Sequence, residues 1–277
     1  MGITAQDVNK LRQMTGAGMM DCKKALVEAD GDFDKAIEIL RKKGQKVSAS
    51  RADRQTSEGS VFVKTNSDNT EATLIALNCE TDFVAKNEDF QDLGTKILEI
   101  AVESKPAGLD ELLTLKLGDL SISEKITELI GKIGEKIEVT AYEKLSGERV
   151  VPYIHAGSKL GVLVALKGTN GSDVSAAGKD IAMQIAAMNP VAVDKNGVDD
   201  TTIKKEMEIG REQALAEGKP ENIVDKIAEG KLNKFFKDNT LLNQAFVKDN
   251  SLTVSKYLDS ISKGLTVEEF KRISIGG

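Results

Sequence analysis

The sequence predicts an α+β fold: an N-terminal three-helix module, a short linker, and two related units of β-β-α-α-β order, the second interrupted by an antiparallel helical hairpin. Three observations predict it. Apolar residues in the first 44 positions recur at helical spacing between Gly-containing turns. From position 58 onward, paired β-rich runs open two successive segments, each followed by helical patterns and a closing β-run. Gly218-Lys219-Pro220 separates two helix-length patterns, which makes a hairpin of them.

Thr4 is positioned to cap the first helix, with Asp7 three residues on and Val8 and Leu11 sharing one face. Thr15-Gly16-Ala17-Gly18 is a turn. The second helix starts at Met19 and aligns Cys22, Ala25, Leu26 and Ala29. Asp32 caps a third helix carrying Phe33, Ala36, Ile37 and Leu40, and Lys42-Lys43-Gly44 reads as its end. The module spans 1–46 and the linker 47–57. From Arg41 to Arg54 six basic residues face one Asp. The stretch reads either as a solvated basic linker or as a phosphate-binding strip.

The first unit spans 58–147. Its β-runs are Gly59 to Lys64 and Glu71 to Cys79. A helix follows from Glu88, then one carrying Ile126, Leu129, Ile130 and Ile133, and a β-run from Ile137 closes the unit. The second unit spans 148–277. Its β-runs start at Arg149 and Leu160, and helices carry Ile181 and, later, Val254, Tyr257, Leu258 and Ile261. Gly94 to Pro106 aligns with Gly178 to Pro190 without gaps, which supports a repeat. The hairpin occupies about 200–237, with Ile203, Met207 and Ala214 expected to face Ile223, Ile227 and Phe235.

Composition narrows the function. The chain has 277 residues, 40% hydrophobic and 30% charged, with a net charge of -6. An acidic chain is repelled by phosphates, so direct nucleic-acid binding is not expected and a protein partner is. Two Cys and one His cannot supply a structural zinc site, so neither a metal nor another cofactor of its own is expected. Unpaired cysteines fit a reducing compartment, and no apolar run reads as a signal segment or a membrane span. The expected address is the cytoplasm.

No catalytic motif stands out, so an enzyme is not expected. His155 is the only His, no P-loop sequence exists, and Gly16-Ala17-Gly18 follows a helix rather than a strand. The acids Glu80, Asp82, Glu88 and Asp89 cluster, either as solvated loop charges or as acid–base groups. Thr81-Asp82-Phe83-Val84 lies between the second β-run and the first long helix of its unit, where scaffolded loops carry binding residues. Phe83 reads two ways: a core plug with Asp82 capping the next turn, or a projecting apolar anchor with a charge beside it. Met19 and Met20 are adjacent, so a helix cannot point both into one core. His155 reads as a hydrogen-bonded structural residue or a functional one.

These same segments resemble the bacterial translation elongation factor Ts family. VNKLRQMTGAGMMDCKKAL (Val8 to Leu26) is similar to its opening signature and NCETDFVAKNEDF (Asn78 to Phe90) to its second. HAGSKLGVLVAL (His155 to Leu166) matches a third, and Gly218-Lys219-Pro220 through Phe246-Val247 a fourth. The resemblance implies that the three helices are a ubiquitin-associated-like module and that the hairpin projects from the core. It implies a guanine-nucleotide exchange factor that binds elongation factor Tu as a heterodimer and speeds GDP release. It assigns Thr81, Asp82, Phe83 and Val84 to a loop that disturbs the GTPase's magnesium site. Val8, Leu11, Met19, Met20 and Lys23 would belong to the docking module, and His155 with Gly157 to a second intrusion near the phosphates. The rival readings are a non-catalytic helical adaptor or scaffold, and an enzyme built on the acids near Glu80.

Overall fold

The computed structural model of the protein describes residues 2–276. Thr4 and Asp7 form a reciprocal capping box. The Asp7 amide donates to Thr4 Oγ1 at 3.2 Å, and the Thr4 amide to Asp7 Oδ2 at 3.0 Å. They open α1 (Ala5–Thr15), which stops at left-handed Gly16. α2 (Met19–Glu28) follows the turn. Asp32 then caps α3 (Phe33–Arg51) by accepting the Lys35 amide at 3.1 Å. Val8, Leu11, Cys22, Ala25, Leu26, Ala29 and Ala36 close a small core between the three helices.

α3 corrects the expected boundary, because the helix continues seven residues past Gly44 and takes in 47–51 of the expected linker. Gly44 is buried in mid-helix and faces the backbone of Gly131. A Cβ on Gly131 would lie 2.7 Å from Gly44 Cα. The glycine is therefore used for close helix approach, and packing offsets its intrinsic cost of about 1 kcal/mol in a helix.

The next elements are β1 (Glu58–Thr65), β2 (Glu71–Cys79), α4 (Asp82–Ala85), α5 (Glu88–Ser104), α6 (Leu109–Thr114), β3 (Lys116–Leu117), β4 (Leu120–Ser121), α7 (Ile122–Ile133) and β5 (Ile137–Ser146). After them come β6 (Arg149–Ile154), β7 (Leu160–Lys167), α8 (Ser175–Met188), α9 (Asp200–Ala216), α10 (Glu221–Asn239), β8 (Ala245–Phe246), β9 (Asp249–Thr253), α11 (Val254–Ile261) and β10 (Thr266–Ser274). The chain is a mixture of helix and antiparallel sheet, as expected of the α+β class. The sheets have orders β1-β2-β5 and β6-β7-β10, so each has its second strand in the centre. Short elements α4, α6, β3, β4, β8 and β9 are too brief to leave a periodic signal.

The two sheets pack face to face. On β2, Ile75, Leu77 and Cys79 point toward α5 and α7, while Ala72, Leu74 and Ala76 point the other way. The latter meet Leu163 and Ala165 of β7, whose alternate residues Val162, Val164 and Leu166 pack with α8 and α11. The order of layers is helix, sheet, sheet, helix. Central strands covered on both faces have no solvated side, which explains the apolar runs Leu74 to Leu77 and Val162 to Leu166.

The gap-free match of Gly94 to Pro106 with Gly178 to Pro190 has a geometric counterpart. A Cβ on Gly94 would collide with the Phe62 ring of β1, and one on Gly178 with Val151 of β6. Both helices end in a left-handed residue, Lys105 at φ 48° and Asn189 at φ 43°, directly before the prolines.

In the α9–α10 hairpin Ala214 lies in the seam as expected, while the rest of the seam differs. Gly210 and Ala214 are buried against Val224 and Ala228, while Ile203 and Met207 are half-buried and Ile223 is exposed. Small residues let the helices approach until a Cβ on Gly210 would sit 3.0 Å from Ala228 Cα, which pushes larger side chains to the rim. Arg211 and Asp225 pair across it at 2.6 Å.

The Gly44–Gly131 crossing generates a stability prediction. Gly131→Val forces α3 away from α7 and destabilises the protein by about 1–3 kcal/mol. Urea unfolding measures it, and an unchanged midpoint would reject the close-approach role.

Candidate functional site

The site is built at the end of β2. Ladder pairing of β2 with β5 runs to Cys79 opposite Ile137, after which the strands part. Thr81 starts α4 in an extended N-cap conformation at φ -126° and ψ 156°. A single turn of helix is unstable alone, because nucleation orders several residues for few hydrogen bonds. α4 is therefore held from outside.

Hydrogen bonds at both ends hold it. The Thr81 amide donates to Glu135 Oε2 at 3.1 Å, and the Thr81 hydroxyl donates to Glu135 Oε1 at 2.8 Å. The same hydroxyl accepts the Val84 amide at 3.4 Å, which uses both its donor and an acceptor lone pair. The Cys79 thiol donates to the Thr81 carbonyl at 3.2 Å. At the far end, Gln91 Nε2 donates to the Ala85 carbonyl at 2.6 Å and to Ser60 Oγ at 2.8 Å. Val84 and Ala85 drop into the core beneath α5 and α7.

With those two residues inward, helical geometry turns Asp82 and Phe83 outward. Phe83 is 82% exposed, the highest value among the exposed large apolar side chains of the described residues. The core-plug reading of Phe83 is thus excluded in this conformation. Rotating the turn to bring the ring inward would lift Val84 from the core. Asp82 pairs with Lys86 at 2.7 Å, and that hydrogen bond, with the ammonium charge, holds its carboxyl below the usual range.

The neighbouring acids are engaged structurally. Glu80 Oε1 accepts the Lys136 amide at 2.7 Å and Oε2 accepts Arg54 at 2.8 Å. Burial pushes the Glu80 carboxyl up, but the Lys136 amide and the Arg54 guanidinium outweigh it and hold it below its ordinary 4.5. Asp89 pairs with Lys132 at 2.7 Å. Cys79 is buried, and burial, followed by the Glu135 and Glu58 charges, pushes its thiol up to about 12. Among the described residues no group of three or more His, Cys, Asp or Glu is placed to hold a metal ion. None of their helices is long and apolar enough to cross a membrane.

His155 sits in the exposed turn between β6 and β7, with Nδ1 2.8 Å from the Tyr153 hydroxyl. Its carbonyl accepts the Ser158 amide at 3.0 Å, and Gly157 takes φ +89° in the turn. The Ser158 carbonyl accepts the Val61 amide at 2.7 Å, and Lys159 pairs with Glu58 at 2.9 Å. The structure therefore ties both the Phe83 turn, through Ser60, and the His155 turn to the first residues of β1.

The N-terminal residues divide. Met19 and Met20 are both exposed, at 49% and 63%, so neither points into the core, and Lys23 is exposed beside them. Val8 and Leu11 are core residues between the helices, at 6% and 0% exposure. In the free chain they form the core beneath the face that carries the methionines. Half of the basic strip is paired, with Lys42 on Glu38, Lys43 on Asp21 and Arg54 on Glu80. Sequence reasoning missed Glu135, Gln91 and Lys136. No local signal marks them, since the Thr81–Glu135 contact spans 54 positions.

Two measurements check this geometry. Because the Glu80 pKa is depressed in the folded state, its stabilisation is present above the ordinary 4.5 and is lost as pH falls through the lower folded value. The melting-temperature gap between wild type and Glu80→Gln should therefore be full at pH 6 and shrink on acidification below pH 4.5. A gap constant from pH 6 to pH 3 would contradict it. Cys79 should resist a thiol reagent at pH 8 until denaturant is added, and rapid native labelling would contradict its burial.

Comparison with known proteins follows the same segments. The family described as Elongation factor TS matches residues 80–277. The chain is 59% identical over 276 residues to Elongation factor Ts of Amoebophilus asiaticus, covering 100% of both chains. It is 60% identical over 274 residues to that of Cytophaga hutchinsonii, covering 99% of each. Against the Chlorobium phaeobacteroides protein of the same name it is 44% identical over 284 residues, again covering 99% of each. With this match over both sheets and the Phe83 turn, the chain belongs to the elongation factor Ts family.

Proposed function

We propose that this chain is a translation elongation factor of the cytoplasm that binds elongation factor Tu carrying GDP, as a heterodimer, and accelerates GDP release so that GTP can enter. It acts by binding and makes or breaks no covalent bond. The single observation that carries the reading is Phe83: a ring left almost wholly in solvent on a turn fastened from behind. Burying a Phe side chain stabilises by about 1.5–3 kcal/mol, and the free chain forgoes that here. A partner surface is where it is recovered.

The mechanism follows from linkage. A factor that prefers the GTPase without its magnesium or nucleotide must weaken nucleotide binding by the same factor. GDP is held largely through its phosphates and Mg²⁺, so disturbing that corner is an efficient route. In this reading Phe83 enters between helices of the GTPase beside its magnesium site. Thr81 and Val84 anchor the turn, and Asp82 brings a negative charge. The ion belongs to the partner and not to this chain.

The three N-terminal helices serve as a ubiquitin-associated-like docking module, using Met19, Met20 and Lys23. The segments 58–147 and 148–277 are two related subdomains. His155 and Gly157 form a second intrusion toward the phosphates, and the α9–α10 hairpin projects to another part of the GTPase. The matching strand orders and the paired Gly94 and Gly178 contacts support the repeat.

The test is stopped-flow release of a fluorescent GDP from elongation factor Tu. Saturating wild-type chain should accelerate release, and an unchanged rate would sink the proposal. Phe83→Ala should lower the maximal rate about thirtyfold or more, about 2 kcal/mol, while the melting temperature stays within a degree or two. His155→Ala should cost less; a larger loss than Phe83→Ala would reverse their ranking.

A further inference from the structure

The hydrogen bonds beneath Phe83 have a reciprocal form. Continuing the β2–β5 register past Cys79 and Ile137 would bring Glu80 opposite Lys136 and Thr81 opposite Glu135. In an antiparallel ladder only alternate facing pairs exchange amide–carbonyl bonds, so backbone pairing would serve at most one of these two amides. Here side chains serve both. Glu80 accepts the amide of Lys136, and Glu135 accepts the amide of Thr81. In each strand a glutamate supplies the acceptor and the residue after it supplies the N–H.

This exchange of acceptors has a geometric consequence. A carboxylate reaches farther than a carbonyl, so the two strands can part without leaving the Thr81 and Lys136 amides unsatisfied. The chain is then free to turn into α4 within two residues of the ladder's end. Charge-assisted bonds of this kind are about twice as strong as neutral ones, and Glu135 makes two to one residue. The clasp also reaches the segment that follows α3. Arg54 donates to Glu80, and Lys136 Nζ donates to the Arg54 carbonyl at 3.1 Å.

We propose that Glu135 and Glu80 are positioning residues, whose carboxylates hold the Phe83 turn in the presented geometry before any partner arrives. The functional half of this inference rests on the exchange reading of Phe83. Ordering the turn in advance removes the cost of immobilising it during docking. Neither glutamate needs to touch the partner. Their loss acts through Phe83 and should therefore be masked when Phe83 is already absent.

The experiment uses the full chain. Amide hydrogen exchange of residues 80–86 is measured in the free protein for wild type, Glu135→Ala and Glu135→Gln. GDP release from elongation factor Tu is measured in parallel, with Phe83→Ala and the double variant Glu135→Ala/Phe83→Ala. Glu135→Ala should lower protection of 80–86 at least tenfold while residues 88–104 keep theirs. It should lower the maximal release rate about tenfold, change the half-saturating concentration less, and add nothing in the Phe83→Ala background. Glu135→Gln, which keeps one acceptor for Thr81, should fall between, and it decides the question if Glu135→Ala does not fold.

Wild-type protection in Glu135→Ala, or a further tenfold loss in the double variant, would overturn the proposal. So would a loss of protection spread evenly over the whole chain. A silent Phe83→Ala would instead sink the exchange reading, and the hydrogen-exchange result would still uphold or overturn the clasp.

Discussion

Two hydrogen bonds from one residue, the Thr81 amide and hydroxyl to the Glu135 carboxylate, decide what the rest of this structure can present. α4 is four residues long and cannot persist by its own backbone bonding. Fastened at Thr81, and at Ala85 through Gln91, it must put Val84 and Ala85 into the core and Phe83 into solvent. The exposure of Phe83 is thus a result of constraint on its neighbours and not of loop freedom.

That constraint depends on layers beneath it. β2 is covered on one face by α5 and α7 and on the other by the second sheet, so its end cannot shift without disturbing both cores. Glu135 follows α7 closely, and α7 is the helix against which α3 packs through Gly44 and Gly131. The N-terminal module, the first core and the Phe83 turn therefore meet along one helix and its exit. The His155 turn reaches the same region from the second sheet through Val61 and Glu58. A scaffold of this kind can offer two surface features in a set geometry, which a partner must meet together.

Much of this was legible in the residues. Thr4 with Asp7, and Asp32 before α3, announce helix starts because the cap is local chemistry. β2 and β7 were legible as strands from their apolar runs, although those runs do not tell which faces which. The gap-free match from Gly94 to Pro106 reflected a real correspondence of packing glycine and left-handed cap. The illegible parts share one cause: they depend on contacts distant in sequence. Gly44 reads as a helix end until Gly131 is beside it. Ile223 reads as a seam residue until the small side chains at Gly210 and Ala228 draw the helices together. Val8 and Leu11 belong to the same signature as Met19 and Met20, yet only burial separates support from contact surface. Phe83 remained balanced between plug and anchor because Glu135 is far along the chain.

The central claim is that Phe83 acts as a preformed wedge on the GTPase. A structure of the full chain bound to elongation factor Tu tests it most directly. The account predicts the Phe83 ring buried between helices of the GTPase beside its magnesium site, with the Thr81–Glu135 contacts kept as in the free chain. A complex in which Phe83 remains in solvent, or in which the turn is rebuilt on docking, would contradict it.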